Sequence, residues 1–407
     1  MNMQRSKAFY AAVASMLSVC ILLGGCNSGG ESETGTSGAD AQSPSNSAGE
    51  MRDITSAELV KEMKIGWNLG DTLDVCQADR DGDGRVNEHV EDGEEVDETL
   101  WGNIMTTPEL FDKLKEDGVN AVRIPVTWRD HLDENDNIKE SWMNRVQEIV
   151  DYAIERDFYV IINMHHDGGG DPKFGAWIIE TAQSDYDKFY SRYSKMWKQI
   201  AERFQDYSDH LIFESMNEVG FDNIKNSKGE DEAFALLNRI NQDFVNIIRE
   251  SGGNNEKRHL LIAGYWTDVA ETCKSYYKLP EDVIEDHLIV SVHYYTPWEF
   301  CIAGSQKTWG SDAEVSLMEN KMKQMKTTFV DKGVPFIIGE YSGGGPAKEF
   351  IYFSEYLTKL CHDMGACCFL WDNGGNLNRR TYNWAVPGLM EALGKAVSGE
   401  EYTVEKN

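Results

Sequence analysis

The segment Leu211-Ile-Phe-Glu-Ser-Met-Asn-Glu218 joins a short, mostly apolar run to an end that carries a carboxylate. The segment Phe336-Ile-Ile-Gly-Glu340 has the same form. Runs of this length that are apolar at consecutive positions are typical of strands buried on both faces, as in a parallel sheet. Both segments therefore predict buried parallel strands that end in a glutamate.

Comparable apolar runs recur along the chain and alternate with amphipathic stretches. The eight predicted strands are Met63–Trp67, Ala121–Pro125, Tyr159–Met164, Leu211–Met216, Leu260–Gly264, Leu288–His293, Phe336–Gly339 and Ala366–Trp371. The predicted helices are Pro108–Glu116, Trp142–Glu155, Tyr186–Phe204, Asp231–Arg249, Ala313–Phe329 and Lys348–Met364. Eight such units favour a closed (β/α)8 barrel over an open doubly wound sheet, and no Gly-x-Gly-x-x-Gly loop follows the first strand. We predict the α/β class, a single (β/α)8 TIM barrel with an extended first βα loop.

The N-terminus has the composition of an export signal. Arg5 and Lys7 precede an apolar run, which ends at Leu23-Gly-Gly-Cys26. This ending resembles the lipobox of bacterial lipoproteins, in which the cysteine is acylated; the alternative is an ordinary signal peptide with an incidental cysteine. We predict a signal peptide over 1–25, a flexible Ser/Gly-rich linker over 26–50 and the barrel domain over 51–407. The expected location is the cell surface, with contact to the membrane only through the lipid at Cys26.

Composition excludes several classes of partner. The 69 acidic residues against 39 Lys and Arg give a net charge of −30, and such a surface repels the phosphates of nucleic acid. No apolar run reaches the roughly 18 residues that a membrane span requires. Six cysteines lie beyond the export segment without zinc-like spacing, and their sequence positions leave open which of them pair as disulfides. We expect a monomer.

Polar and aromatic residues lie at or next to the ends of all eight predicted strands. They are Trp67-Asn68, Arg123, His165-His166-Asp167, Asn217-Glu218, Tyr265-Trp266, His293-Tyr294-Tyr295, Glu340-Tyr341 and Trp371. The carboxyl ends of the strands in a parallel barrel meet on one face, and active sites are built there. We therefore expect Glu218 and Glu340 to lie together, although they are distant in sequence. Paired carboxylates suit the hydrolysis of glycosidic bonds, because one protonates the leaving oxygen while the other attacks or activates water.

Six segments in order resemble glycoside hydrolase family 5, over about residues 51–400. They are Ile65-Gly-Trp-Asn-Leu-Gly70, Val122-Arg-Ile-Pro-Val-Thr-Trp128, Ile162-Asn-Met-His-His-Asp167, Phe213-Glu-Ser-Met-Asn-Glu218, Val292-His-Tyr-Tyr295 and Ile338-Gly-Glu340. The resemblance implies a retaining (β/α)8 hydrolase with Glu218 as acid/base and Glu340 as nucleophile. The other motif positions that it matches are Arg123, His165, Asn217, His293, Tyr295 and Trp371.

Physical chemistry supports the same roles. A retaining pair stands about 5–5.5 Å apart, so that the nucleophile reaches the anomeric carbon directly. Arg123 and the Tyr295 hydroxyl are suitable groups to hold Glu340 ionised, and we expect the negative charge of Glu340 to raise the pKa of Glu218. Asn217 is expected to donate a hydrogen bond to the sugar 2-hydroxyl. Catalysis of this kind requires no cofactor.

The remaining candidates are placed as supporting or sugar-binding groups. His165 and His166 are adjacent, and adjacent strand residues point to opposite faces, so we favour hydrogen bonding over metal chelation unless the strand has already ended. Asn68 and His293 are expected to support the same cluster. Flat aromatic side chains complement pyranose rings, and we predict that Trp266 and Trp371 bind sugar.

One acidic insertion predicts a structural calcium site. Asp79, Asp81 and Asp83 have the 1, 3, 5 spacing of an EF-hand loop, with Gly84 at position 6. Position 12 is Val90 where that loop needs a glutamate. The alternative is a solvated acidic loop.

The resemblance also indicates a substrate. The long first loop, which ends in Glu98-Thr-Leu-Trp-Gly-Asn103, and the segment Val292–Trp298 are similar to the endo-glucanase and xyloglucanase branch of the family. We expect endo-hydrolysis of β-1,4-glucan in cellulose-like chains, xyloglucan or mixed-linkage glucan. The alternatives are an endo-β-1,4-mannanase and a non-catalytic, glycan-binding surface lipoprotein.

Overall fold

The computed structural model describes residues 49–78, 89–90, 94–169 and 175–406. Eight strands close into one barrel in sequence order, and every neighbouring pair is parallel, including β1 with β8. The strands are β1 Ile65–Asn68, β2 Ala121–Ile124, β3 Tyr159–Asn163, β4 Leu211–Glu214, β5 Leu260–Asp268, β6 Leu288–Tyr294, β7 Phe336–Tyr341 and β8 Cys367–Leu370. The predicted (β/α)8 barrel is confirmed.

One helix precedes the first strand, one follows the last strand, and the other helices lie between successive strands. The helices are α1 Ser56–Glu62, α2 Pro108–Glu116, α3 Glu140–Ile154, α4 Ile178–Ser184, α5 Tyr186–Arg203, α6 Asp222–Lys228, α7 Glu230–Glu250, α8 Val269–Thr272, α9 Trp298–Cys301, α10 Asp312–Thr328, α11 Ala347–Asp363 and α12 Leu389–Ala396. Short 3-10 turns occupy Arg129–His131, Gly253–Glu256 and Val330–Lys332. The predicted bounds of α2, Pro108–Glu116, are correct. The helix starts at Pro108 because the missing N–H of a proline costs nothing in the first turn.

Side chains alternate across the barrel wall and fill its interior in layers. Ile161, Ile212, Leu261 and Ile289 belong to one buried apolar cluster inside the strands. Two positions further along β2, β3, β4 and β6, the same side of each strand carries Arg123, Asn163, Glu214 and Ser291, all fully buried. The apolar layer is thus followed by a polar layer, which lies directly beneath the carboxyl ends of the strands.

Helix α1 packs against the apolar layer. Leu59, Val60 and Met63 belong to the same cluster as the interior strand residues. The helix begins with a capping box, in which Thr55 and Glu58 satisfy each other's backbone N–H groups. Helix α1 therefore covers the amino end of the barrel, and the polar layer lies towards the carboxyl end.

Two irregularities in the sheet change which side chains face inwards. The register shifts between Ala263 and Asp268 on β5, and again between the pairs Val292–Ile338 and His293–Glu340. An extra residue reverses the alternation of a strand. Ile337 faces the interior, so regular alternation would place Glu340 outside; the shift returns it to the inner side.

The structure leaves some predictions untested because their residues lie outside the described part of the chain. Cys26, Asp79, Asp81 and Asp83 lie outside the described residues, so acylation and calcium binding remain predictions. The six cysteines from Cys76 to Cys368 are free thiols. In the described parts of the chain, no helix combines the length and the apolar character needed to cross a bilayer.

The layer between helices and strands should carry much of the stability. Trp197 on α5 is fully buried, with its ring 4.8 Å from Phe244 and 5.7 Å from Phe213, centroid to centroid. We predict that Trp197→Ala lowers the free energy of unfolding by about 3–5 kcal/mol, because it leaves a cavity. Tyr190 on the same helix is 40 % exposed, and Tyr190→Ala is the matched control, with an expected change within about 0.5 kcal/mol. Urea unfolding followed by tryptophan fluorescence measures both; equal losses would contradict the proposed packing.

Candidate active site

Arg123 occupies the centre of the polar layer, at an inward-facing position of β2. Its Nε donates to Glu214 Oε2 at 2.7 Å and its Nη1 to Glu340 Oε1 at 2.8 Å. Two amide oxygens complete the shell, Asn68 Oδ1 at 3.0 Å and Asn217 Oδ1 at 2.9 Å. Burial alone would lower the pKa of Arg123, yet the two carboxylates raise it above its usual value. The guanidinium is therefore a fixed positive charge beneath the site.

Glu340 lies on β7 after the shift in register and is 5 % exposed. Its Oε1 accepts from Arg123, and its Oε2 accepts from the Tyr295 hydroxyl at 2.9 Å. Both contacts favour the ionised carboxylate. The pKa of Tyr295 lies well above its usual value, chiefly through burial and then through the charge of Glu340, so the phenol remains a donor.

Glu218 follows β4 and has a φ of +43°, which a residue with a side chain adopts at a cost. Its Oε1 lies 2.9 Å from His293 Nδ1. Burial raises the pKa of Glu218 to about 8, Arg123 opposes this rise, and Glu214 adds to it. The direction agrees with our expectation, but burial is the main cause, and the contributing anion is Glu214, not Glu340.

The two candidate carboxyls come together as a close pair. One oxygen of Glu218, one of Glu340 and a ring nitrogen of His293 all lie within 4.8 Å of one another. Burial lowers the pKa of His293 to about 4, so its ring is neutral near pH 7. The pair thus combines a carboxyl whose pKa is raised by burial with a carboxylate that accepts from Arg123 and Tyr295. The short distance between their oxygens suits the close pair of a retaining glycosidase, about 5–5.5 Å, better than the wider pair of an inverting one.

Two asparagines connect this pair to the barrel. Asn217 Oδ1 accepts from Arg123, so its amide nitrogen is the end that can donate to a substrate. Asn68 is fully buried; its Oδ1 accepts from Arg123 and its Nδ2 donates to the Gly339 carbonyl at 2.9 Å. Asn68 therefore supports the site from below, and Asn217 is a candidate donor to a ligand.

His165 and His166 follow β3, which ends at Asn163, so the alternation expected for a strand does not apply to them. Their rings meet edge to face with centroids 4.6 Å apart. Trp371 follows β8 and lies parallel to His165, with centroids 5.7 Å apart and an interplanar angle of 9°. Histidine and indole thus form one flat wall of the site.

These histidines and Asp74 also form a set with the donor types of a metal site. Asp74 Oδ2 is buried without a hydrogen-bond partner among the described residues and lies 3.9 Å from His166 Nε2. However, the Asn163 amide nitrogen, a donor, faces His165 Nδ1 at 3.3 Å. That contact uses the lone pair of Nδ1 and leaves an N–H at Nε2. The arrangement favours a hydrogen-bonding role for His165.

Trp266 lies in the irregular part of β5 and is partly exposed, with a φ of +52°. Its indole nitrogen donates to Asp222 Oδ1 at 3.0 Å. Gly220 lies two residues after Glu218, and a Cβ at this position would be 2.3 Å from the indole of Trp266. The indole can therefore pack here only because residue 220 is a glycine. Trp67, which lies in β1, and the loop residues Trp128 and Trp309 are buried in the core.

Three residues of the polar layer, Asn163, Glu214 and Ser291, had no role predicted from the sequence. Glu214 accepts from Arg123, from Asn163 Nδ2 at 2.9 Å and from Ser291 Oγ at 2.6 Å. Each lies two positions beyond an inward apolar residue of its own strand, so the alternation of β3, β4 and β6 carried the signal.

Comparison with known proteins gives consistent results. The family model described as Cellulase (glycosyl hydrolase family 5) matches residues 86–377. A solved structure, a GH5-4 broad specificity endoglucanase from Ruminococcus champanellensis with bound cellotriose, is 34% identical with a TM-score of 0.74, over 85% of this chain and 99% of the other.

Curated relatives agree with this match. Endoglucanase A of Clostridium longisporum is 34% identical over 83% of this chain, which spans 65% of that protein. A xyloglucan-specific endo-beta-1,4-glucanase of Bacteroides ovatus is 32% identical over 80% of this chain, which spans 66% of that protein. The chain thus covers just under two thirds of both relatives. With the closed barrel and the paired carboxyls, the family match places this chain in glycoside hydrolase family 5.

Proposed function

We propose that the protein is a retaining endo-β-1,4-glucanase. One observation carries the proposal: Glu218, a buried carboxyl whose pKa is raised to about 8, lies close to a second carboxylate that Arg123 and Tyr295 hold. The names of the relatives support β-1,4-glucan as the substrate class, including xyloglucan. They favour glucan over the alternative of mannan.

In the first step, a Glu340 oxygen attacks the anomeric carbon and forms a glycosyl ester. Glu218 gives its proton to the departing glycosidic oxygen, so the leaving chain departs as an alcohol. Tyr295 and Arg123 release hydrogen bonds as Glu340 loses its charge. Asn217 holds the 2-hydroxyl, a contact that strengthens in the transition state.

In the second step, water attacks the ester and Glu218 accepts its proton. Esterification removes one of the two anions that face Arg123, and Arg123 lowers the pKa of Glu218. Glu218 therefore ionises more readily in the intermediate than in the free enzyme, as a general base requires. Glu340 is released with its charge restored, and the sugar keeps its configuration.

We also propose that the enzyme is exported and attached to the membrane by a lipid on Cys26. The basic start, the apolar run and the Leu-Gly-Gly-Cys ending support this location. The Ser/Gly-rich segment 26–50 would then act as a tether for a monomeric barrel that acts on soluble or loosened chains. A calcium ion bound by Asp79, Asp81 and Asp83 would brace the first loop.

Hydrolysis and its stereochemistry test the proposal together. The wild type should release reducing ends from xyloglucan, carboxymethylcellulose and lichenan faster than from mannan. Glu340→Gln should reduce turnover by about 10⁴-fold or more while the fold is retained. Proton NMR of early products from cello-oligosaccharides should show the β-anomer first. The α-anomer first would exclude double displacement, and binding without turnover by the wild type would favour the glycan-binding lipoprotein.

The raised pKa of Glu218 predicts the basic limb of the pH profile. Because the free enzyme must hold this proton, kcat/KM should fall as pH rises through about 8. Glu218→Gln should keep activity towards 2,4-dinitrophenyl β-cellobioside, whose leaving group needs no proton, and should lose the basic limb in single-turnover measurements of the first step. A basic limb that persists in this variant would assign it to another group.

A further inference from the structure

Glu214 is a third buried carboxylate beneath the catalytic pair. It ends β4 with no exposure to solvent, so it is not placed to contact substrate. Arg123 Nε, Asn163 Nδ2 and the Ser291 hydroxyl donate to its two oxygens at 2.6–2.9 Å. Three donors from three strands therefore fix one carboxylate.

This contact also fixes the orientation of the guanidinium. The group is planar, so holding its Nε on Glu214 determines where the two terminal nitrogens lie. One of them, Nη1, reaches the nucleophile Glu340, and the other, Nη2, reaches Asn217. Without Glu214, rotation about the bond to Nε would release both contacts.

The charges form a chain of anion, cation and anion. Arg123 lies between Glu214 and Glu340, and the side chains of all three are at most 7 % exposed, so the screening by solvent is weak. Glu214 takes part of the positive charge that would otherwise act on Glu340 alone. If Arg123 had no second carboxylate partner, its full positive charge would act on Glu340. Glu340 would then be a poorer nucleophile, because its lone pairs would be held more strongly.

We propose that Glu214 is a positioning residue of the hydrolytic reaction, which sets the orientation and the effective charge of Arg123 for Glu340. The inference rests on the proposed function. It adds a role to a residue that is deeper in the barrel than the catalytic pair.

Glu214→Gln is a sharp test because it removes the charge and keeps the shape. The amide oxygen can accept from Arg123 Nε and Asn163, and the amide nitrogen can donate to Ser291, whose hydroxyl serves as donor or acceptor. We expect kcat/KM to fall by about 10- to 100-fold. We also expect the basic limb of the pH profile to move down by about 0.5–1 unit, because less negative charge remains near Glu218.

Other charged or titratable groups around Glu218 remain unchanged in this variant. They are Arg123, His293, Tyr295 and Glu340. A shift of the limb therefore reports the charge at Glu214. Ser291→Ala removes one hydrogen bond and no charge; it should leave the limb in place and lower kcat/KM by less than about 5-fold.

Asp282→Asn is the matched control away from the site. Asp282 accepts from Arg249 Nε and Nη2 at 2.8 Å, and both side chains are nearly as buried. This variant should lose stability and keep the wild-type pH profile. A Glu214→Gln enzyme with the wild-type limb, and a loss no larger than that of Asp282→Asn, would overturn the proposal.

A second variant covers the case in which Glu214→Gln does not fold. Glu214→Asp keeps the charge and shortens the reach, so kcat/KM should fall several-fold while the basic limb stays in place. Wild-type kcat/KM in Glu214→Asp would overturn the anchoring role. Because all comparisons are made with an active wild type, an inactive wild type would instead refute the proposed function.

Discussion

The site depends on one buried cation shared between two carboxylates. Arg123 contacts Glu214, Glu340, Asn68 and Asn217, which lie on or directly after three further strands, β1, β4 and β7. A guanidinium with no exposure is tolerated only when its charge and its N–H groups are satisfied. The same contacts that meet this requirement fix Glu340, the proposed nucleophile, and Asn217, the proposed donor to the sugar. Structural necessity and chemical function therefore coincide at Arg123.

The surroundings of the two candidate catalytic carboxyls also differ. Burial raises the pKa of Glu218 to about 8, because the positive charge of Arg123 offsets the effect of burial only in part. Glu340, in contrast, accepts hydrogen bonds directly from Arg123 and Tyr295. Two chemically equal side chains thus acquire opposite roles from their surroundings. Helix α1, which packs on the apolar layer, covers the amino end of the barrel, and the polar layer lies towards the opposite end.

The barrel and the residues that form the site could be predicted from the sequence because both depend on local signals. Consecutive apolar runs marked the strands, and the residues after them converged as parallel topology requires. The register shift that returns Glu340 to the interior has no such signal, because it depends on the pairing of β6 with β7. The role of Glu214 in the pKa of Glu218 depends on which groups are in contact in three dimensions. The flat wall of His165 and Trp371 likewise joins β3 to β8, two strands that are not adjacent in the barrel.

The central claim is that Glu340, held by Arg123, forms a covalent bond to sugar beside a protonated Glu218. The direct measurement is intact-protein mass spectrometry after incubation with 2,4-dinitrophenyl 2-deoxy-2-fluoro-β-cellobioside, followed by peptide mapping. The fluorine slows both steps, and the reactive leaving group allows the first to proceed, so the intermediate accumulates. We predict one added 2-fluorocellobiosyl group, located on Glu340 and absent from Glu340→Gln. An adduct on another residue, or release of dinitrophenol by the enzyme without any adduct, would contradict the account.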